Sequence, residues 1–244
     1  MAIVNADRRT TSVTEFQELI LAFAQMASRE GVTVVPYEGD APKHFPLLPE
    51  SLQLAVVQHF RDYVHVASEV LEHGGALRDD QIFLWRFLRR LRFHPPSNLM
   101  DAMAEGEIIE VHDRNLVQIF RNLRFFELCS YTLDDLLCRP FFELLERDNK
   151  ITEYLLEQVD ALFKSAPRTI QHMAVDEHTV VEKESSHRLV LRVRQRLMAP
   201  LRGTVGGEVV AIATFIPARL DRPQATPPNL PSPADWFRID SLNR

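Results

Sequence analysis

Cysteine and lysine are scarce in this chain. Cys129 and Cys138 are the only cysteines among 244 residues, which excludes a disulfide framework or a zinc site built on cysteines and suits a reducing compartment. Four lysines stand against 24 arginines, an imbalance that reads first as GC-rich coding and only then as phosphate recognition. Positive charge is not in excess: the net charge of −6 gives no general attraction to nucleic acid or acidic membrane. No apolar run has the length of a bilayer span. The N-terminal MAIVNADRRTT lacks the apolar centre of a signal peptide. The expectation is a cytoplasmic protein with no membrane role.

What is present is ordinary globular material, 45% hydrophobic and 25% charged, in a length comfortable for two domains. Ser12-Val13-Thr14-Glu15 has the spacing of a capping box. Phe16, Leu19, Ile20, Phe23 and Ala27 follow at helical period, and Gly31 closes the run. Residues 32–49 form a Pro- and Gly-rich connection. A second helix places Leu52, Val56, Phe60, Tyr63, Val64, Ala67 and Leu71 on one face before Gly74-Gly75. A third starts at Asp79-Asp80 and ends before Pro95-Pro96. It carries Ile82, Phe83, Leu84, Trp85, Phe87, Leu88 and Leu91, more apolar surface than one stripe needs. Residues 1–95 are thus a helical region.

The period then changes. Glu107–Val111 and Leu116–Phe120 read as strands around an Asp113-Arg114-Asn115 turn. Asn122 suits an N-cap, and Thr132-Leu133-Asp134-Asp135 repeats the signature for the next short helix. Arg139-Pro140 interrupts that helix. Lys150–Lys164 carries Ile151, Leu155, Val159, Leu162 and Phe163 on one stripe. Strands are expected at 169–181, 187–200 and 208–217, the last two joined as a hairpin through Arg202–Gly207. The remainder, 219–244, is a proline-rich tail ending in the apolar Asp235–Ile239.

Two strands, short helices, one longer helix and three antiparallel strands is the element order of a PAS domain. The sequence Asp-x-Asn turn, strand, Asn122, then Ser130-Tyr131-Thr132-Leu133-Asp134-Asp135-Leu136-Leu137-Cys138-Arg139-Pro140 resembles the family's Asn followed by GYS-x-EELLGRP. Glycine is usual where Ser130 and Cys138 stand, so two marker positions depart. The resemblance covers about 106–218 and implies an α+β fold, in which an N-terminal helical region precedes a PAS-like five-stranded antiparallel sheet flanked by short helices. It also implies signal transduction or regulation, through small-ligand sensing or protein interaction. No kinase-type phosphate loop or DNA-recognition helix accompanies it, so any output passes through a signalling protein partner. The family's habit of pairing favours a homodimer.

On that pattern Phe141 stands where a photosensor's flavin-reactive cysteine belongs, and Lys150–Lys164 lacks the haem-ligating histidine. No cofactor is therefore expected. The expected ligand-pocket wall is Phe125, Phe126, Leu137, Phe141, Leu155, Val159 and Phe163, with plain core packing as the alternative. Arg188, Arg192, Arg194 and Arg196 alternate onto one strand face, either a solvated outer face or a docking surface for an acidic partner. Arg86, Arg89, Arg90 and Arg92 form a second basic cluster, though net acidity argues against nucleic acid. His172 and His178 share strand parity, but without a third ligand no metal is expected. The final strand is apolar on both faces, so something must cover Ile212 and Ile216. The expected cover is the helices of 12–94 or their copy in a second subunit. The competing reading is a small cone-fold enzyme, isomerase- or dehydratase-like, with Asp176 and His178 as an acid/base pair.

Overall fold

A computed structural model of the chain describes residues 2–221 apart from 186, 205 and 206, with the backbone alone at 2–11 and 142. The apolar tag Asp235–Ile239 and most of the proline-rich tail lie outside the described residues. Helix α1 (Ala2–Arg29) begins ten residues before the expected capping box. The preceding Ala-Asp-Arg-Arg run favours helix and carries it through Ser12, whose buried hydroxyl has no hydrogen-bond partner. Glu15, freed from capping, accepts from Arg61 Nε at 2.8 Å. Gly31 takes a φ of 76° after the helix, while the Val32 amide returns to the Ala27 carbonyl. This left-handed exit is the conformation glycine permits.

Residues 32–49 form the expected connection, with one 3₁₀ turn at Phe45–Leu47. Helices α2 (Glu50–Glu72) and α3 (Asp80–Arg90) follow, and Asp79 caps α3 by accepting from the Ile82 amide. Then come α4 (Leu99–Ala102), β1 (Ile108–Asp113) and β2 (Gln118–Arg121). Three short helices, α5 (Leu123–Glu127), α6 (Leu133–Cys138) and α7 (Phe141–Leu144), lead through β3 (Leu145–Glu146) to the long α8 (Asn149–Ser165). The Thr132–Asp135 capping box is formed, and Asn122 caps α5.

The three C-terminal strands are each cut in two. They become β4 (Gln171–His172) and β5 (His178–Glu182), then β6 (Val190–Val193) and β7 (Leu197–Arg202), then β8 (Val209–Ile216) and β9 (Ala218–Leu220). One half of each builds a five-stranded antiparallel sheet in the order β2-β1-β8-β7-β4. The other half builds a four-stranded sheet in the order β3-β5-β6-β9. Pro217 separates β8 from β9, since proline has no amide for the ladder. The Arg194 and Arg196 amides hold the seam by donating to the Pro217 and Phe215 carbonyls at 3.0 and 3.1 Å. Strand β9 extends the sheet past residue 218, where the tail was expected to begin.

Both faces of the larger sheet are covered. On one, Phe120, Val111, Ala213 and Ala199 lie in register across four strands and are buried. Helices α2 and α3 pack there, with the rings of Phe83 and Phe87 each 5.0 Å from Phe120 and Tyr63 at 5.7 Å. The core therefore runs from Phe16 on α1 to Phe215 on β8, across the compositional change near residue 95. The N-terminal helices do dock on the sheet, but on the face opposite the one expected. Ile212 is buried under α8, with Leu155, Leu162 and Met198. The reason is parity: the small side chains of Ala211 and Ala213 point to the helices and let them approach.

A second tie joins the halves. The buried Asp134 carboxylate accepts the amides of Lys43, His44 and Phe45 at 2.7, 2.9 and 3.0 Å. The Leu133 and Asp134 amides in turn donate to the carbonyls of Val35 and Pro36.

Phe120→Ala tests whether helices and sheet are one cooperative unit. Loss of this ring should cost about 3–5 kcal/mol and leave a single unfolding transition. Circular dichroism of the helices and near-ultraviolet tertiary signals should then melt together, at lower temperature than in the unaltered chain.

Candidate functional site

Directly opposed residues on antiparallel strands share a face, so the registers define what α8 covers. Arg121 stands opposite Glu110, Glu110 opposite Thr214, Thr214 opposite Met198, and Met198 opposite Gln171. This row crosses all five strands and is mostly polar. His112 lies beside it, opposite Ile212. Leu155 and Leu162 of α8 close one end of the face over Met198 and Ile212.

The remainder is not sealed. Glu110 and His112 are only half-buried, although β1 has a strand on either side. Protein nevertheless surrounds His112 closely enough for burial to hold its imidazole below the usual histidine range.

Two guanidinium groups reach this region. Arg121 is buried; its Nε donates to Gln118 Oε1 at 2.5 Å and its Nη2 to the Leu136 carbonyl at 2.7 Å, while Phe125 lies under it at 5.3 Å. Burial brings its pKa down to about 10, with Glu110 the largest opposing influence. Arg147, just before α8, sits over the Phe141 ring at 5.8 Å, and its buried Nε has no hydrogen-bond partner. Burial depresses it as well, opposed again by Glu110. Neither arginine has a carboxylate within ion-pair distance among the described residues.

His178, at the start of β5, is lowered first by burial and also feels the positive charge of Arg147. The positive charge of Arg147 acts on His112 too. His178 Nδ1 meets the Asp176 backbone oxygen at 3.0 Å, and its Nε2 is buried and unpartnered. Thr214 Oγ1 is a third buried polar atom without a partner. These residues carry two guanidinium groups, one carboxylate and three buried polar atoms without a hydrogen-bond partner.

The expected wall residues divide between two apolar clusters. Phe125, Phe126 and Leu137 join the core shared with the N-terminal helices, where Phe126 meets Phe23 at 5.4 Å. Leu155, Val159 and Phe163 form the cluster under α8. Phe141 lies apart, beneath Arg147. The α8 residues do face the sheet, whereas α5 is turned toward α1.

The arginine face is not assembled, because the cut at 194–196 changes the strand's face. Arg188 is exposed outside the strands with a φ of 42°. Arg192 pairs with Asp221 at 3.0 Å, and Arg194 is exposed in the seam. Arg196 is committed to the buried Glu107 and to the Ala102 carbonyl. In the second basic cluster, Arg90 pairs with Asp62 at 2.9 Å.

The break after β4 also separates exposed His172 from His178. No group of three or more candidate metal ligands occurs among the described residues. The Asp176–His178 pair is not formed either, since the ring meets the backbone of Asp176. Burial raises both cysteine thiols, Cys129 and Cys138, as suits packed side chains rather than nucleophiles.

The residues that sequence reading missed, Glu110, His112, Arg121, Arg147 and Thr214, had one local signal. Ile109 and Val111 alternate with Glu110 and His112, which reads as one buried and one wet sheet face. Only the fold lays α8 over the polar side.

No family model matches this sequence, and no curated protein matches it. Solved structures similar in fold include the PAS domain of a protein from Colwellia psychrerythraea, 16% identical, covering 48% of this chain and 89% of that one with a TM-score of 0.34. A sensory box sensor histidine kinase from Vibrio cholerae is 11% identical over 50% of this chain and 88% of that one, with a TM-score of 0.31. Likenesses this slight settle neither ligand nor activity. Residues 108–220 are PAS-like in their own order of elements, with the five-stranded antiparallel sheet in place.

The depressed histidines give a pH dependence of definite sign. A folded pKa below the unfolded value near 6.5 makes a stabilising contribution that is present above that pH and lost as pH falls through the folded value. Imidazole resonances of His112 and His178 should titrate below about 6.5, and melting temperature should fall on acidification. His112→Phe should flatten part of that decline.

Proposed function

We propose that this chain is a regulatory protein whose PAS-like domain senses a small molecule on the polar inner face and passes its state to the N-terminal helices, without a catalytic step of its own. One observation carries the proposal. Arg121 belongs to both sides of the sheet edge: its guanidinium lies at the inner face, and its carbonyl accepts from the buried Tyr63 hydroxyl of α2 at 2.6 Å. A shift of β2 that accommodates a ligand would have to move this hydrogen bond, and Tyr63 is stacked on Phe60 and meets Phe23, Phe83 and Phe87 edge-on or tilted. Close-packed aromatic clusters do not absorb such shifts smoothly. The coupling therefore reaches α1, α2 and α3 together.

A partner would read that change on the helices' outer surface. The outward side of α3 exposes Ile82 and Trp85, and pairing of two copies through it belongs to the same reading. Light scattering should show a dimer, and a monomer at all accessible concentrations would remove that part.

Filling the inner face imitates a ligand. Thr214→Trp should change amide hydrogen exchange in residues 50–72 by several-fold while the chain remains folded by near-ultraviolet dichroism. Unchanged protection of α2 in a folded variant would mean that the two faces are uncoupled.

A further inference from the structure

We propose that the apolar tag Asp235–Ile239 of the C-terminal tail docks on the outward face of α3 in its own copy, as an internal ligand for that face. The docking stands apart from the sensor reading, but its consequence, competition with a partner for α3, rests on it.

Helix spacing builds the face. Ile82, Trp85 and Arg89 stand at i, i+3 and i+7, with Arg86 beside them, and so form one stripe. Phe83, Leu84, Phe87 and Leu88 take the other side into the core. Ile82 is 41% and Trp85 45% exposed, and Trp85 is the only exposed aromatic side chain among the described residues. A tryptophan beside an isoleucine is the kind of apolar surface that anchors a partner. Arginines border it at the C-terminal end of the helix. Arg90 is taken up by Asp62, but Arg86, Arg89 and Arg92 have no carboxylate within ion-pair distance among the described residues.

The tag has the matching composition. Asp235-Trp236-Phe237-Arg238-Ile239-Asp240 sets three apolar residues between two carboxylates. The rings of Trp236 and Phe237 suit Trp85 and Ile82. The guanidinium groups of Arg86 and Arg89 suit both those rings and the flanking carboxylates. The other strongly exposed apolar side chains fit less well: Leu47 and Leu54 lie in a run, 45–60, without a lysine or arginine.

Reach allows the contact within one copy. His94, just past α3, and Arg202 of β7 exchange backbone hydrogen bonds of 2.8 and 3.0 Å, and Arg202 stands opposite Val209. From Val209 to Asp221 the chain takes twelve steps through β8 and β9, at most about 40 Å. Asp221 is fixed at that far end, its amide on the Val190 carbonyl at 2.8 Å and its carboxylate on Arg192 at 3.0 Å. The thirteen residues 222–234, five of them proline, reach about 40 Å when extended. They can return the tag to α3, and the tether raises its effective concentration there toward about the millimolar range. A tag on a second copy has no such advantage.

Trp85 and Trp236 are the only tryptophans, so each can report alone. In a Trp85→Phe chain, acrylamide should quench Trp236 several-fold more slowly than in a synthetic peptide of residues 222–244. Adding Arg89→Glu should raise quenching toward the peptide rate, whereas Arg168→Glu, at an exposed arginine elsewhere, should leave Trp236 protected. The second reporter leaves the folded part unaltered. With Trp236→Phe, Trp85 is the sole tryptophan, and it should become several-fold more accessible when Phe237→Ser and Ile239→Ser are added. Peptide-like quenching of Trp236, or no response of Trp85 to those tail changes, would overturn the docking, and protection that survives Arg89→Glu would put the tag on another surface. Protection of Trp236 that is lost on about hundredfold dilution would place the tag on a second copy and overturn the contact within one chain. Light scattering separates this from the sensor reading, since the chain with the altered tag should pair more tightly than the unaltered one. If Trp85 is uncovered but pairing does not change, the docking stands and α3 is not the pairing surface. If the chain pairs while Trp236 stays peptide-like, the pairing stands and the tag assignment falls.

Discussion

The contact of Phe120 with α2 and α3 is the constraint on which the rest of the structure depends. A five-stranded sheet with apolar side chains on both faces cannot stand in water with one face bare. Phe120 projects from β2 into the rings of Tyr63, Phe83 and Phe87, while the alanines of β7 and β8 beside it are small enough for the helices to lie close. The helical region and the PAS-like region therefore share a core. Tyr63 adds a directional bond to this apolar contact through its hydroxyl, which reaches the Arg121 carbonyl without leaving a buried donor unused.

The opposite face follows different rules. α8 packs over Met198 and Ile212 but leaves Glu110 and His112 half-buried, and Arg121 and Arg147 lie over aromatic faces without a carboxylate partner among the described residues. One side of the sheet is built for cohesion. The other retains unpaired polar groups, a state that natural cores usually avoid. The edge strand β2 takes part in both.

Asp134 shows how a residue can serve two levels of structure. It lies in the first turn of α6, where a carboxylate favours the positive helix end, and its oxygens accept three amides from residues 43–45. Ser130, where the PAS pattern usually has glycine, likewise donates its hydroxyl to the buried Glu182. The departure from the family pattern supplies a bond to β5.

Local features were legible in the sequence because their causes are local. The caps at Asn122 and Thr132, the exit at Gly31, the stop at Arg139-Pro140 and the hairpin near Gly207 each follow from one residue's hydrogen bonding or allowed φ. Glu107–Val111 likewise read as a strand from its own residues. What sequence could not supply was parity across the seam and the identity of the covering element. Ile212 and Ala213 are both apolar, so composition does not say which faces α8 and which faces α2; side-chain size decided it through helix approach. The arginines at 192–196 look equivalent along an unbroken strand, yet a bend at 194–196 sends Arg196 to Glu107 and Arg192 to Asp221. The polar row of Arg121, Glu110 and Thr214 exists only once three strands far apart in the chain are set side by side. Short-range hydrogen bonding and backbone geometry were determined by the sequence alone. Which surfaces meet was decided by the tertiary structure, because packing depends on shapes brought together from distant segments.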